Sequence, residues 1–450
     1  MPQLLSEDQT KIAAAKATSF RWVVAGLFFL VYTVAAADRA NLGMALPFIR
    51  KDFAMSNTEA GGLASLFLLA YAIAQIPSGY IFSKFGVRSI FSFSMVATSL
   101  ATGLIGTVSS IFMLKAYRFL LGLTEGPLPL GITSTINHWF PPKEKGTATG
   151  LFLSAAKFGP VLVPPLCAWI LLAYGWRHIF YIFAFPGVVL SVIWYLLVRN
   201  RPSESPYCSE AERRYIESGE TVKSPRQGRL PENKYNLVWL DKLIRARKVK
   251  PLETSREIFR SWDIWGSSLG YFFMIGVMNV LLTWIPTFLV TVKKFGTMKL
   301  GIVAAAPWTG AIVGNMVGGW FSDKIINKRR KPNMMFTAFT SIFMMYSLVY
   351  APKDPYMLAG LMFVLGIFLN IGFSTYMVYP MGLTTKKSFP IACSVVNMFG
   401  QLGGAAAPLI AGMLLDHFNW DAVWLFLAIC CTLCLMILFT IKEPVDDPLG

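Results

Sequence analysis

Five ionisable side chains, Asp38, Arg39, Arg118, Glu125 and Lys157, lie inside long apolar stretches of this 450-residue chain. One charge at the centre of a bilayer costs about 2.5–3.5 kcal/mol, so five unpaired charges would cost about 12–17 kcal/mol. They must pair or line a water-filled cavity, since buried pairs are rarely kept for stability alone. Helix geometry separates them. Asp38 and Arg39 are adjacent and point about 100° apart. Arg118 and Glu125 share a face but stand about 10.5 Å apart along the axis, too far for a salt bridge. Asp38 is therefore expected to face Arg118, and Arg39 and Glu125 a central cavity. A carboxylate that gains and loses a proton in each cycle needs a low-dielectric setting against its charge and a cation in its favour. Asp38 and Glu125 are the candidates for proton coupling. Arg39, a planar two-pronged donor, suits the carboxylate of a bound anion. Lys157 is read as a second anion contact, with a snorkelling or internally paired lysine as the alternative. Three cations opposite two acids make a small organic anion the expected cargo.

Neutral polar groups would serve the hydroxyls of that anion or join helices to one another. Tyr32, Tyr71 and Gln75 lie in the first half; Asn279, Trp284, Asn315, Asn370, Tyr376, Tyr379, Asn397 and Gln401 lie in the second.

The elements that position these groups follow from composition. The chain is 55% hydrophobic and 14% charged, far from the roughly 25% charge of a soluble domain. Apolar stretches fall near 22–48, 59–82, 89–108, 112–135, 147–172 and 177–198, and again near 264–290, 300–322, 333–350, 356–379, 389–415 and 420–441. Each suits a membrane-crossing helix, the structure that satisfies its own backbone in lipid. The expected fold is an all-α membrane protein with twelve transmembrane helices in two six-helix bundles. These are residues 1–198 and 263–450, joined by a polar connector, 199–262. Placing both termini in the cytoplasm puts 30 of the 41 basic residues on that side and 8 on the other, as the positive-inside rule requires. The net charge of +17 thus marks a membrane face and gives no indication of nucleic acid.

The halves repeat. Leu46-Pro47 matches Ile285-Pro286, Gly79-x-x-x-Ser83-Lys84 matches Gly319-x-x-x-Asp323-Lys324, Pro165-Leu166 matches Pro408-Leu409, and Gly175-Trp176 matches Asn419-Trp420, at offsets of 239 to 244 residues. This is a parallel repeat, whose halves can rock about a midplane site.

These landmarks resemble the major facilitator superfamily. The loop from Gly79 to Arg88 is similar to its G-x-x-x-D-R/K-x-G-R signature, with Ser83 in the acidic place. The resemblance implies gating contacts at Lys84, Arg88 and Asp323. Asp38-Arg39-Ala40-Asn41 resembles the D-R-x-N/T signature of the anion:cation symporter family, which includes bacterial hexuronate, galactonate and glucarate transporters and animal sialin. Gln75-Ile76-Pro77-x-Gly79, Arg118-x-x-x-Gly122-x-x-Glu125-Gly126-Pro127, Trp139-Phe140-Pro141 and Thr283-Trp284-Ile285-Pro286 are further matches. The resemblance implies proton coupling at Asp38 and Glu125, Arg118 as their charge partner, and substrate contacts at Trp284, Tyr376 and Asn397.

The expected function is proton-coupled symport of an organic anion, of the sugar-acid class, by alternating access. An organophosphate:phosphate antiporter and a non-transporting sensor of an anionic ligand are the alternatives. No enzyme activity is expected, because no nucleophile, metal set or cofactor motif accompanies the carboxylates. No phosphate-binding glycine loop points to ATP. A monomer in the bacterial inner membrane, with no cofactor, is the expectation.

Overall fold

In lipid every backbone amide needs a partner within its own segment, and the apolar stretches meet that need as helices. The computed structural model describes residues 18–218, 238–326, 329–385 and 388–445. The first half contains Phe20–Asp52 (span one), Asn57–Phe85 (two), Val87–Ile105 (three), Ile111–Glu125 followed by Leu128–Trp139 (four), Lys145–Tyr174 (five) and Trp176–Leu197 (six). The second contains Trp262–Thr291 (seven), Thr297–Lys324 (eight), Lys331–Ser347 (nine), Pro355–Asn370 with the short turns Thr375–Val378 and Pro380–Leu383 (ten), Phe389–His417 (eleven) and Trp420–Thr440 (twelve). Among the described residues, nine segments are individually long and apolar enough to cross a membrane. The other three are span two, span four, which Gly126-Pro127 divides into helices of 15 and 12 residues, and span nine, which is 17 residues long.

The repeat is visible in the packing. Span one lies on five, two on four and three on six; seven lies on eleven, eight on ten and nine on twelve. The halves meet with the same symmetry, two against eleven and eight against five, with one against seven between them.

Contact between the halves is tightest on the face opposite the connector. There Asp416, at the end of span eleven, accepts from the backbone N–H groups of Asn57 (2.8 Å) and Thr58 (2.7 Å) at the start of span two. The side chains of Asn57 and Thr58 donate to it as well. A carboxylate is favoured at a helix N-terminus, where unpaired N–H groups converge. Close by, a Cβ on Gly61 would collide with the carbonyl oxygen of Pro408. Glycine there lets spans two and eleven touch backbone to backbone.

The connector is held at both ends, by different halves. On the first half, Glu212 of the helix Glu210–Ser218 accepts from the N–H groups of Phe20 and Arg21, both 3.1 Å, and pairs with the Arg21 guanidinium at 2.9 Å. Arg21 also reaches Glu144 at 2.7 Å. The hydrogen bond from Arg21 holds the Glu144 carboxyl below its ordinary range. On the second half, Asp241 accepts two bonds from the buried Arg329, at 2.5 and 2.7 Å. Ala246–Arg247 then pairs in parallel with Glu443–Pro444.

Candidate functional site

Span four ends its first helix on Glu125. Pro127 and Pro129 lack the N–H groups that would bond the carbonyls of Leu123 and Glu125, and the neighbouring Thr124 carbonyl accepts from the Ser94 hydroxyl at 2.6 Å. Glu125 thus stands at a helix break, fully buried. Span two is pressed against this segment, since a Cβ on Gly122 would meet the Phe67 carbonyl oxygen. That approach brings Phe67 and Tyr71 beside the charges.

Arg39 lies against Glu125. Its Nε and Nη2 are each 2.7 Å from Glu125 Oε1. The Nη2 approach is close but poorly aligned for a hydrogen bond, while Oε2 has no hydrogen-bond partner. The guanidinium also lies over the Tyr71 ring at 4.6 Å, a favourable placement of a cation on an aromatic face. Its side chain keeps 23% exposure, against none for Glu125.

Arg118 is buried, with its guanidinium 4.8 Å from the Phe67 ring. Its Nε and Nη1 have no hydrogen-bond partner. Phe67 also lies 5.9 Å from Arg39, so one ring serves both cations. Asp38 is buried and accepts from Asn41 at 3.2 Å. Asp38 and Glu125 both act electrostatically on Arg118, yet no ion pair joins Asp38 to Arg118 among the described residues.

Span five carries Lys157 to the second half. Its ammonium donates to Asn370 Oδ1 at 3.1 Å and lies 4.5 Å from the Phe373 ring. No carboxylate pairs with it among the described residues. Asn370 ends the long helix of span ten, where the chain turns irregularly before Thr375. The Gly372 N–H in that turn is held by the Thr337 hydroxyl at 2.6 Å. Irregular backbone at membrane depth occurs where protein buries it or a cavity is lined. Asn397 of span eleven is half-buried, 3.5 Å from Gln75 of span two and 3.5 Å from Gln401. Arg39 with Tyr71, Gln75 with Asn397 and Lys157 with Asn370 are thus three polar pairs at the belt of buried charges, and the last two join the halves.

Two expected substrate contacts lie elsewhere. Trp284 is fully buried, donates to the Pro408 carbonyl at 3.1 Å and meets Trp420 edge-on. Tyr376 is equally buried; its hydroxyl lies 3.1 Å from Cys434 Sγ and its ring beside Tyr271. Both pack spans of the second half together, because a large amphipathic ring fills a helix junction and satisfies its one polar atom there.

In the expected gating loop, Arg88 is tied to span six. Its backbone N–H donates to Asn200 at 2.9 Å and its Nε to the Tyr195 carbonyl at 2.8 Å. Lys84 is exposed beside Phe85. The side chain of Asp323 lies outside the described residues.

Phe67 and Phe373 were not singled out from the sequence, and Asn41 entered only as the last residue of the Asp38–Asn41 motif. Phenylalanine gave no signal by type, since the chain holds 35 of them.

A chain of two matching six-helix halves around a belt of membrane-buried charges is built as a transporter. The chain belongs to the Major Facilitator Superfamily, whose model matches residues 28–351 and 301–449. It is 29% identical over 444 residues to the "Probable galactarate/D-glucarate transporter" of Escherichia coli (strain K12), covering 94% of this chain and 95% of that one. It is 27% identical over 460 residues to the "Probable L-galactonate transporter" of the same organism, covering 99% and 94%. Among solved structures, a bacterial homologue of the human lysosomal transporter Spinster shares the fold, with a TM-score of 0.74 at 18% identity over 94% of this chain and 97% of that one. The protein is a multi-pass membrane transporter and not an enzyme.

Proposed function

We propose that the protein carries a sugar-acid anion across the bacterial inner membrane together with protons, by alternating access. The observation that carries this reading is the Arg39–Glu125 pair, in which one carboxylate oxygen takes both close approaches and the other takes none. Oε2 is the position where a proton would bind. A protonated Glu125 holds Arg39 less strongly, and the two-pronged guanidinium then turns to the carboxylate of the substrate. Arg118 favours the charged state of Glu125 and opposes protonation, so that the proton can leave again. Asp38, buried against Asn41, is a second proton position.

The substrate class follows from the belt and the relatives. Galactarate and glucarate carry two carboxylates, and galactonate carries one. Arg39 would hold the first, and Lys157 the second or a hydroxyl. Tyr71, Gln75 and Asn397 would address the remaining hydroxyls. The two halves, 1–198 and 263–450, would rock about this belt, with the connector spanning them. With the halves in contact on the Asp416 face, the connector face would be the side that opens, and the distribution of basic residues supports the cytoplasm for it. The protein would work as a monomer.

The test is uptake of glucarate or galactonate into sealed proteoliposomes under an inward proton gradient. Glu125→Gln should abolish gradient-driven accumulation while retaining counterflow of labelled substrate. Undiminished accumulation would remove Glu125 from coupling.

A further inference from the structure

Far from the belt, at the connector face, the start of span seven, the end of span twelve and the last part of the connector border an open cleft of about 650 Å³. Trp262 and Thr440 join its two helices, with the indole N–H donating to the Thr440 hydroxyl at 2.8 Å. Four cations line it: Arg245, Arg256, Arg260 and Lys442. Arg256 and Arg260 are four residues apart on the helix Ser255–Arg260 and so share a face. The Thr254–Glu257 capping box fixes where that helix starts. Arg245 sits at φ 56°, a left-handed backbone that a non-glycine residue rarely takes. In that conformation its Nη1 reaches the Thr440 carbonyl at 2.7 Å, leaving most of its five donors uncommitted.

The cleft also contains two acids, and both are committed to backbone. Glu257 accepts from the N–H of Glu253 at 2.8 Å, and Asp263 from the N–H of Lys442 at 2.8 Å. None of the four cations makes an ion pair among the described residues. At the rim, Phe259 and Trp262 are each 52% exposed. Both occur where span seven emerges, the level at which aromatic rings settle between hydrocarbon and headgroup. Uncompensated guanidinium groups at headgroup depth, beside aromatics at the hydrocarbon edge, match a phosphodiester attached to acyl chains.

We propose that this cleft binds the headgroup of an anionic phospholipid. The lipid would bridge spans seven and twelve to the last part of the connector, and so hold the second half to the membrane surface. This reading is independent of substrate and of proton coupling.

The test is native mass spectrometry of the full-length protein in detergent, titrated with phosphatidylglycerol or phosphatidylcholine. Phosphatidylglycerol adducts should form at roughly tenfold lower lipid concentration. The Arg256→Gln/Arg260→Gln variant alters two exposed side chains and should bind phosphatidylglycerol about tenfold to thirtyfold more weakly. Lys143→Gln/Arg214→Gln removes the same charge from exposed positions of the first half, outside the cleft, and should leave binding unchanged. Equal adducts with both lipids, or equal losses in both variants, would overturn the proposal. Displacement of phosphatidylglycerol by millimolar inorganic phosphate would overturn it too, by marking the cleft as a site for a soluble phosphate compound.

Discussion

Arg39 and Glu125 meet through a single oxygen: both close guanidinium nitrogens lie 2.7 Å from Oε1, while the buried Oε2 has no hydrogen-bond partner. A pair made on both oxygens would resist opening, whereas this one leaves half of the carboxylate for another ligand. The fork of Arg39 is needed on both sides of the exchange, first for Glu125 and then for the substrate. Arg39→Lys keeps the charge but loses the planar pair of donors and the seat over Tyr71. Losing one charge-assisted hydrogen bond costs about 1.5–3 kcal/mol. The variant should therefore raise the substrate concentration for half-maximal uptake by at least about tenfold. Initial uptake rates against concentration would check this, and an unchanged curve would place Arg39 outside the substrate contacts.

Lys157 bears on the choice between one and two carboxylates. Its ammonium contacts a neutral amide, Asn370, and an aromatic face, Phe373. A cation held this way is free to take a second carboxylate. Lys157→Gln should reduce glucarate uptake about tenfold or more and galactonate uptake much less. Competition between the two substrates in the same vesicles measures the ratio. A parallel fall in both would make Lys157 a structural tie between the halves.

Asp416 controls the closed face. Its two oxygens receive both backbone N–H groups and both side chains of Asn57 and Thr58, a junction between the halves. Asp416→Ala removes these four bonds between the halves, while the Ser56–Glu59 capping box still caps span two, and should weaken this closure by about 1–3 kcal/mol. Distances between spin labels on the two sides of the junction should then broaden toward a separated population. A single unshifted distance would show that closure rests on the helix packing near Gly61 instead.

Much of this arrangement was legible in the chain. The spans and their repeat were readable because lipid demands continuous apolar helices and because the same landmarks recur in each half. The five buried charges were readable because their cost in a membrane is too high to be incidental. The packing of Trp284 and Tyr376 inside the second half was not legible, because a motif fixes a position on a helix, and the face that position turns inward depends on crossing angles the sequence does not state. The turn after Asn370 escaped notice because span ten has no proline there, only Gly372. Its irregular backbone is supported from span nine by Thr337, a partner 35 residues away.

Glu443 supplies a test that needs no substrate. Its two oxygens accept from the backbone N–H groups of Arg330 (2.7 Å) and Lys331 (2.8 Å), at the start of span nine. Burial pushes its carboxyl from 4.5 up to about 7, although the two N–H groups and the nearby Lys331 and Arg329 cations oppose the rise. The folded protein therefore holds a proton that the unfolded chain has released between these two values. Stability from this group is fully present below about pH 4.5 and is lost as pH rises through about 7, a change of about 3 kcal/mol. Glu443→Gln has no proton to lose. Thermal unfolding in nanodiscs, compared with the variant pH by pH, should give a wild-type advantage that shrinks steadily across that window. Parallel curves would mean that Glu443 keeps one charge state throughout.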